Sequence, residues 1–283
     1  MGHMEITIIG TGSGIGLFEH SHHDQAGPSV LIEVDGDTLL FDVGRSALQN
    51  VFKSKHNPAE IDHLFLTHLH SDHTVGLPDL VISPWVAYKR HEWRVYGPEG
   101  TGRMLDALFG PGGGFDDDIV ARCRDLELER PRFDVTEITQ PGTVCEGEGW
   151  EVTASFSPKH IQPHLTSIAF RVNSPGGSVV YTGDTGPHED VVEFAKGCSV
   201  LIHDCAIRDR TGIYAERLVH TDPESLGWVA ERSGAKTIIA FHFKDRTPEE
   251  IELMREKVEE RYSGRFIVAE DLLRIDVAKG VVI

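Results

Sequence analysis

No apolar run in this chain approaches the roughly 18 residues needed to cross a bilayer; Val30–Val34 is typical of the longest, so no membrane is expected. Basic residues are scarce: 27 Lys and Arg face 45 Asp and Glu, a formal charge of −18. A sequence-independent grip on nucleic acid needs clustered Lys and Arg, so no nucleic acid is expected as partner. Cysteine is scarce too. Cys123, Cys145, Cys198 and Cys205 show neither CxxC pairing nor framework spacing, which argues against a disulfide scaffold. No basic stretch followed by an apolar one opens the chain, so no secretory signal is read and a cytoplasmic, reducing setting is expected. Residues 1–3 read as a cloning remnant before a natural start at Met4. No linker rich in Pro, Gly or Ser and no fixed-period repeat divides the rest, so residues 4–283 are expected to form one domain. Its composition, 40% hydrophobic and 25% charged, is that of an ordinary globular protein.

What the chain does have is histidine, 16 in 283 residues. Short β-rich runs recur around them: Ile6–Ile9, Val30–Val34, Thr38–Phe41, His63–Thr67, Arg94–Tyr96, Val152–Phe156, Ser167–Val172, Ser178–Thr182, Val200–His203 and Thr237–Phe241. Asp35–Gly36 signals a tight hairpin between two of them. Helical patterns appear at Glu99–Phe109, Asp190–Lys196, Pro223–Ser233 with Asp222 as its cap, and from Thr247-Pro248 to about Tyr262. Gly112–Gly114 with Asp116–Asp118 reads as a surface loop leading into a helix. Strands with helices outside them predict a layered α/β sandwich.

Thr67-His68-Leu69-His70-Ser71-Asp72-His73 follows the apolar run Leu64-Phe65-Leu66 directly. A strand ending there projects four potential ligands within six positions, and neutral imidazole with carboxylate suits Zn, Fe or Mn. A helix would turn His68 and His70 to nearly opposite faces, whereas a strand-to-loop exit brings all four to one site. Gly10-Thr11-Gly12 is no dinucleotide fingerprint: Ile15 stands in place of the third Gly and no helix pattern follows.

This motif, with Ile8-Ile9-Gly10-Thr11-Gly12-Ser13-Gly14, Gly27-Pro28-Ser29, Phe41-Asp42-Val43-Gly44-Arg45, Tyr181-Thr182-Gly183-Asp184-Thr185, His203-Asp204-Cys205-Ala206, His220-Thr221 and Ala240-Phe241-His242, resembles the metallo-β-lactamase superfamily. The likeness is to its ribonuclease Z and arylsulfatase-like branch, in order along nearly the whole chain. The resemblance implies a four-layer αββα sandwich with two divalent metals, Zn2+ first and Mn2+ or Fe2+ as alternatives. One metal would take His68, His70 and a third His from Lys159–His164, where the family's pattern, with its ligand about ten residues before the aromatic of the next strand (here Phe170), implies His160 over His164. The other would take Asp72, His73 and His242, with Asp184 bridging the pair opposite a hydroxide or water. A homodimer is a further possibility that the branch suggests.

Three catalytic residues are expected: Asp72, His220 and Asp204. In the ribonuclease Z pattern a His at the place of His220 donates a proton to the leaving group, and a Glu stands where this chain has Asp204. A carboxylate behind an imidazole orients the ring and raises its basicity. Asp is one methylene shorter than Glu, which puts the pairing in question, and His220 could instead be a surface residue capping the next helix. Asp42 either braces a ligand or is a polar strand end. Glu19–Asp24, with His20, His22 and His23, either lines the site's mouth or is an exposed loop. His56, His63, His91 and His188 belong to no motif. Trp85, Tyr88, Trp93 and Phe115 either line a pocket or belong to the core.

The reading these residues favour is a metal-dependent hydrolase that uses di-metal-bound hydroxide on a small-molecule ester or phosphodiester. Only 24 positions separate His160 from Asp184, too few for the long arm of the tRNA-processing enzymes. Together with the charge, this points to a small-molecule substrate. Hydrolytic dehalogenation, a mononuclear-iron dioxygenase on the same fold and a non-catalytic metal-binding regulatory module are the alternatives.

Overall fold

The computed structural model describes residues 2–14, 25–88, 90, 92–157, 166–208, 219–243 and 246–283. Fifteen strands among them form two sheets. The first contains β1 (Met4–Gly10), β2 (Ser29–Val34), β3 (Asp37–Phe41), β4 (His63–Phe65), β5 (Glu92–Gly97), β6 (Arg132–Glu137), β14 (Arg274–Asp276) and β15 (Val281–Val282), in the order β15-β14-β1-β2-β3-β4-β5-β6. The second contains β7 (Gly142–Gly147), β8 (Trp150–Phe156), β9 (Ile168–Ser174), β10 (Gly177–Tyr181), β11 (Val200–Asp204), β12 (Thr237–Phe241) and β13 (Arg265–Val268), in the order β13-β12-β11-β10-β9-β8-β7.

The layering follows from the two-residue period of a strand. Ile6, Ile8, Val30, Ile32, Leu39 and Phe41 of the first sheet meet Val172, Val179, Val200, Ile202, Ile239 and Phe241 of the second in a core between the sheets. Their neighbours are apolar as well, so both faces of each sheet are covered. Leu31, Leu40, Leu64 and Val95 face the helices α1 (Ala47–Lys53), α3 (Leu77–Tyr88), α4 (Thr101–Phe109) and α5 (Asp116–Leu126). Val180, Leu201, Ile238 and Ala240 face α6 (Glu189–Phe194), α7 (Pro223–Ser233) and α8 (Pro248–Glu259). This is the four-layer αββα sandwich. Trp85 and Trp93 lie in the outer core of the first sheet, Phe115 packs against it, and Tyr88 is half exposed.

One correction follows. Asp116–Asp118 form the first turn of α5 itself, where three carboxylates oppose the positive end of the helix dipole. His63 is a buried residue of β4, within hydrogen-bond reach of the Tyr96 hydroxyl at 3.2 Å. All four cysteines are free. Among the described residues no helix is long and apolar enough to cross a membrane.

The topology fixes where chemistry can occur. β3, β4 and β5 run parallel in the first sheet, as do β10, β11, β12 and β13 in the second. Crevices beyond the carboxyl ends of parallel strands are the usual ligand sites of open α/β sheets. Asp42 leaves β3, Thr67–His70 leave β4, Asp184 leaves β10, Asp204 ends β11 and His242 leaves β12.

Candidate metal centre

The strand exits converge because two of them turn sharply. Asp42 and His242 adopt left-handed backbone with φ of 57° and 54°, a conformation that costs a non-glycine residue on the order of 1–3 kcal/mol and persists only where its surroundings enforce it. Gly183, beside Asp184, also has positive φ, and a Cβ there would fall 2.7 Å from that of Thr67. The short helix α2 (Ser71–Thr74) then carries Asp72 and His73 back over the exit of β4.

Asp42 organises the floor of the site. Its Oδ1 accepts from the Thr67 amide at 2.8 Å. Its Oδ2 accepts from the Thr67 hydroxyl at 2.8 Å, His73 Nδ1 at 2.8 Å and the Tyr181 hydroxyl at 2.9 Å. The Thr67 hydroxyl, having given its proton to Asp42, accepts from His68 Nδ1 at 3.0 Å. One carboxylate therefore sets the tautomers of two histidines, leaving the Nε2 lone pairs of His68 and His73 turned inward. Of the two readings of Asp42, the structure shows the brace.

Above this floor lie three overlapping groups that could hold a cation. His68, His70 and Asp184 form one, Asp72, His73 and His242 a second, and Asp184, His220 and His242 a third, and the ligand atoms within each lie within 4.8 Å of one another. Asp184 faces the first two. Its Oδ2 is 3.7 Å from His68 Nε2, while its Oδ1 is 3.3 Å from His73 Nε2 and 3.2 Å from His242 Nδ1. Asp72 Oδ2 is 3.3 Å from His242 Nε2 and accepts from the Gly14 amide at 2.9 Å. His160 and its alternative His164 lie outside the described residues, as do His20, His22, His23 and His91.

The donor set fits cations. His73 Nε2 approaches His242 Nε2 to 3.3 Å, although Asp42 already takes the Nδ1 proton of His73. Asp184 Oδ1 and His242 Nδ1 are fully buried and make no hydrogen bond, which normally costs on the order of 1–3 kcal/mol per group. Burial opposes ionisation of Asp184, but His242, His73 and His68 outweigh it and hold its carboxyl well below the usual range. Burial likewise disfavours charge on His73, yet Asp184 and Asp42 hold its pKa well above normal. The carboxylates demand positive charge here, which divalent cations would supply.

The second predicted pair also meets. His220 Nδ1 lies 2.8 Å from Asp204 Oδ2, so the shorter Asp side chain does reach. Asp204 is fully buried and also accepts from the Ala206 amide at 2.8 Å and the Thr185 amide at 3.2 Å. Helix α7 is capped by Asp222, whose side chain accepts from the Ser225 amide, and not by His220. The His220 ring instead stacks on His242, centroids 5.7 Å apart.

Sequence reasoning gave no role to Thr67 or Tyr181, both of which touch Asp42. Thr67 and Tyr181 sit at motif edges that the ligand pattern does not mark.

The family described as anti-Pycsar protein Apyc1 matches residues 4–260. The chain belongs to that family. Ribonuclease Z from Mycobacterium bovis (strain BCG / Pasteur 1173P2) is 32% identical to this Apyc1-family chain over 287 residues, spanning 97% of the chain and 98% of the relative. Among solved structures, the metallo-β-lactamase-fold protein YhfI from Bacillus subtilis has a TM-score of 0.76 at 19% identity, spanning 97% of this chain and 99% of its own. The short form of human tRNase Z has a TM-score of 0.68 at 20% identity, spanning 96% and 99%. The Apyc1-family chain is thus a metallo-β-lactamase-fold, metal-dependent hydrolase of the ribonuclease Z branch, acting on phosphodiester or ester bonds.

The M. bovis relative overturns one expectation. A protein named ribonuclease aligns with this chain end to end, against the expected small-molecule substrate with no nucleic acid. Both arguments behind that expectation fail. The relative is about as long as this chain, so a short His160–Asp184 interval does not set the chain apart from a ribonuclease Z. Net charge constrains sequence-independent binding across a surface, and says little about a phosphate held at a metal-lined cleft.

Proposed function

We propose that this Apyc1-family chain hydrolyses a phosphodiester bond of a ribonucleotide substrate at a two-metal centre. The observation that carries the reading is the pair of ligand groups sharing Asp184, one carboxylate oxygen turned to each. His68, His70 and Asp184, completed by His160, would hold one divalent cation; Asp72, His73, His242 and Asp184 would hold the other. Zn2+ suits this set of imidazoles and carboxylates. Two such ions, when bound, supply an activated water and neutralise charge on the attacked phosphate. The likeness to ribonuclease Z supports the ribonucleotide phosphodiester.

The chain's own residues then divide the work. Asp42 and Thr67 fix the imidazoles of His73 and His68. Asp72, with one oxygen anchored by the Gly14 amide, helps to orient the attacking water. Asp204 holds His220 by Nδ1, and the opposite ring nitrogen, Nε2, would give its proton to the leaving oxygen.

A substrate panel tests this. Purified protein loaded with Zn2+ or Mn2+ is offered a 3′-extended RNA hairpin, a 3′,5′-cyclic ribonucleotide and bis(p-nitrophenyl) phosphate, beside a p-nitrophenyl carboxylic ester. Cleavage of at least one ribonucleotide phosphodiester, abolished by chelation and restored by metal, is the expected result. Two bound metals with turnover of the carboxylic ester alone would overturn the reading.

A further inference from the structure

Asp271 lies outside the ligand set and far from it in sequence, on the strap that follows β13. That strap crosses from the second sheet to the first: the Ala269 amide donates to Ala240 O at 3.0 Å, and the Leu272 amide donates to Ile8 O at 2.7 Å. Leu272 turns it with a φ of 69°, an uncommon conformation for a bulky side chain. The turn delivers the Asp271 carboxylate to the roots of the loop between β1 and β2.

There it is fully engaged. Oδ1 accepts from the Thr11 amide at 3.0 Å and the Thr11 hydroxyl at 2.9 Å. Oδ2 accepts from the Ala26 amide at 2.7 Å and from Asn50 Nδ2 at 3.3 Å. Hydrogen bonds to a charged acceptor are roughly twice as strong as neutral ones. One carboxylate thus pins both roots, which are also joined by the Gly12 amide to Ala26 O at 2.8 Å.

The pinned segment touches the Asp72–His73–His242 group. The Gly14 amide donates to Asp72 Oδ2 at 2.9 Å, and a Cβ at Gly14 would come within 2.9 Å of Asp72 Cβ. Thr11 O accepts from the Phe243 amide at 3.3 Å, and Gly12 pairs with Phe243 in an isolated β-bridge. Phe243 directly follows His242, whose backbone is left-handed.

We infer that Asp271 is a positioning residue for the Asp72–His73–His242 half of the centre, acting through Thr11 and Gly14. The inference rests on the two-metal reading. Removing its charge loosens the segment that sets Asp72 and His242, and leaves His68 on its Thr67 support.

Zn2+ titration against a competing chromophoric chelator tests it on wild type, Asp271→Asn and Thr11→Val, with folding followed by circular dichroism. Wild type binds two Zn2+. Asp271→Asn keeps one at wild-type affinity and binds the other about 10–100-fold more weakly, the usual range for loss of a ligand's supporting partner. If Asp271→Asn does not fold, Thr11→Val carries the test: it loses one of the bonds to Asp271, and its second Zn2+ is expected to weaken several-fold. A lowered melting temperature with both affinities unchanged, or equal weakening of both, overturns the inference alone. A wild type that binds one Zn2+ overturns the two-metal reading and the inference with it.

Discussion

His220 and Asp204 are 16 positions apart in sequence and 2.8 Å apart in space. Burial opposes a charged His220, but the Asp204 charge and hydrogen bond outweigh it and raise its pKa above the ordinary value. The residue is therefore supplied with a proton to give. His220→Ala is expected to lower kcat by about 10²–10⁴-fold, the usual worth of a positioned acid, while bound metal stays at the wild-type level. Asp204→Asn keeps the shape but not the charge, and should lower kcat less, with KM unchanged. Loss of metal from His220→Ala would move the residue into the ligand set and defeat the assignment as acid. At this scale the candidate ligands from His68 to His73 were legible by spacing because they lie within six positions, whereas Asp184 and His242 entered only through the family resemblance. Asp42 was only half legible, because its hydrogen-bond partners come from two segments distant from it, Thr67 and His73 from one and Tyr181 from the other. Asp271 carried no signal, since its partners lie 221 to 260 positions away.

The elements that sequence reasoning found are those with an apolar run or a terminal cap. Helix α8 shows the second kind. The Thr247 hydroxyl accepts from the Glu250 amide at 3.3 Å while Glu250 Oε2 accepts from the Thr247 amide at 2.9 Å, a reciprocal capping box with Pro248 at the first helical position. The helix buries only Met254 and Val258, so its terminus matters to its stability. Thr247→Ala should destabilise the protein by about 1 kcal/mol, and Thr247→Ser should recover most of that. A urea-unfolding midpoint in Thr247→Ala equal to wild type would show that the cap is immaterial. Elements missed by sequence reasoning lack such marks. Strands β6 and β7 are sheet edges with mostly exposed or half-buried residues, β15 has two residues, and α3 is apolar and interrupted by Pro84. Pattern needs contrast between faces, and edge strands and all-apolar helices offer little.

The two sheets close on each other through His63, at the end of β4 away from the candidate metal centre, which bears on the stability of the whole molecule. Its ring stacks beside Tyr96, centroids 5.7 Å apart, and meets Trp150 edge-on at 5.4 Å. Burial pushes the His63 pKa below its ordinary 6.5, and burial does the same to His203. The sign follows from linkage: the unfolded chain takes up these protons near pH 6.5, whereas the folded one does so only at lower pH. Stability from the neutral rings is full above pH 6.5 and is lost as pH falls through the lowered folded values. A second effect opposes this. The chain carries a formal charge of −18 with a pI near 5.3, so acidification also relieves self-repulsion and favours the compact state. The two are separable because charge relief is nearly common to wild type and His63→Phe, while the His63 proton belongs to wild type alone. Urea unfolding at fixed metal concentration, between pH 7.5 and 5.5, should show wild type losing more stability than His63→Phe. The excess slope is at most about 1.4 kcal/mol per pH unit, the limit for one proton. Parallel curves would mean that His63 takes its proton as readily in the folded sandwich as in the unfolded chain, and that its burial between the sheets exerts no hold on its charge.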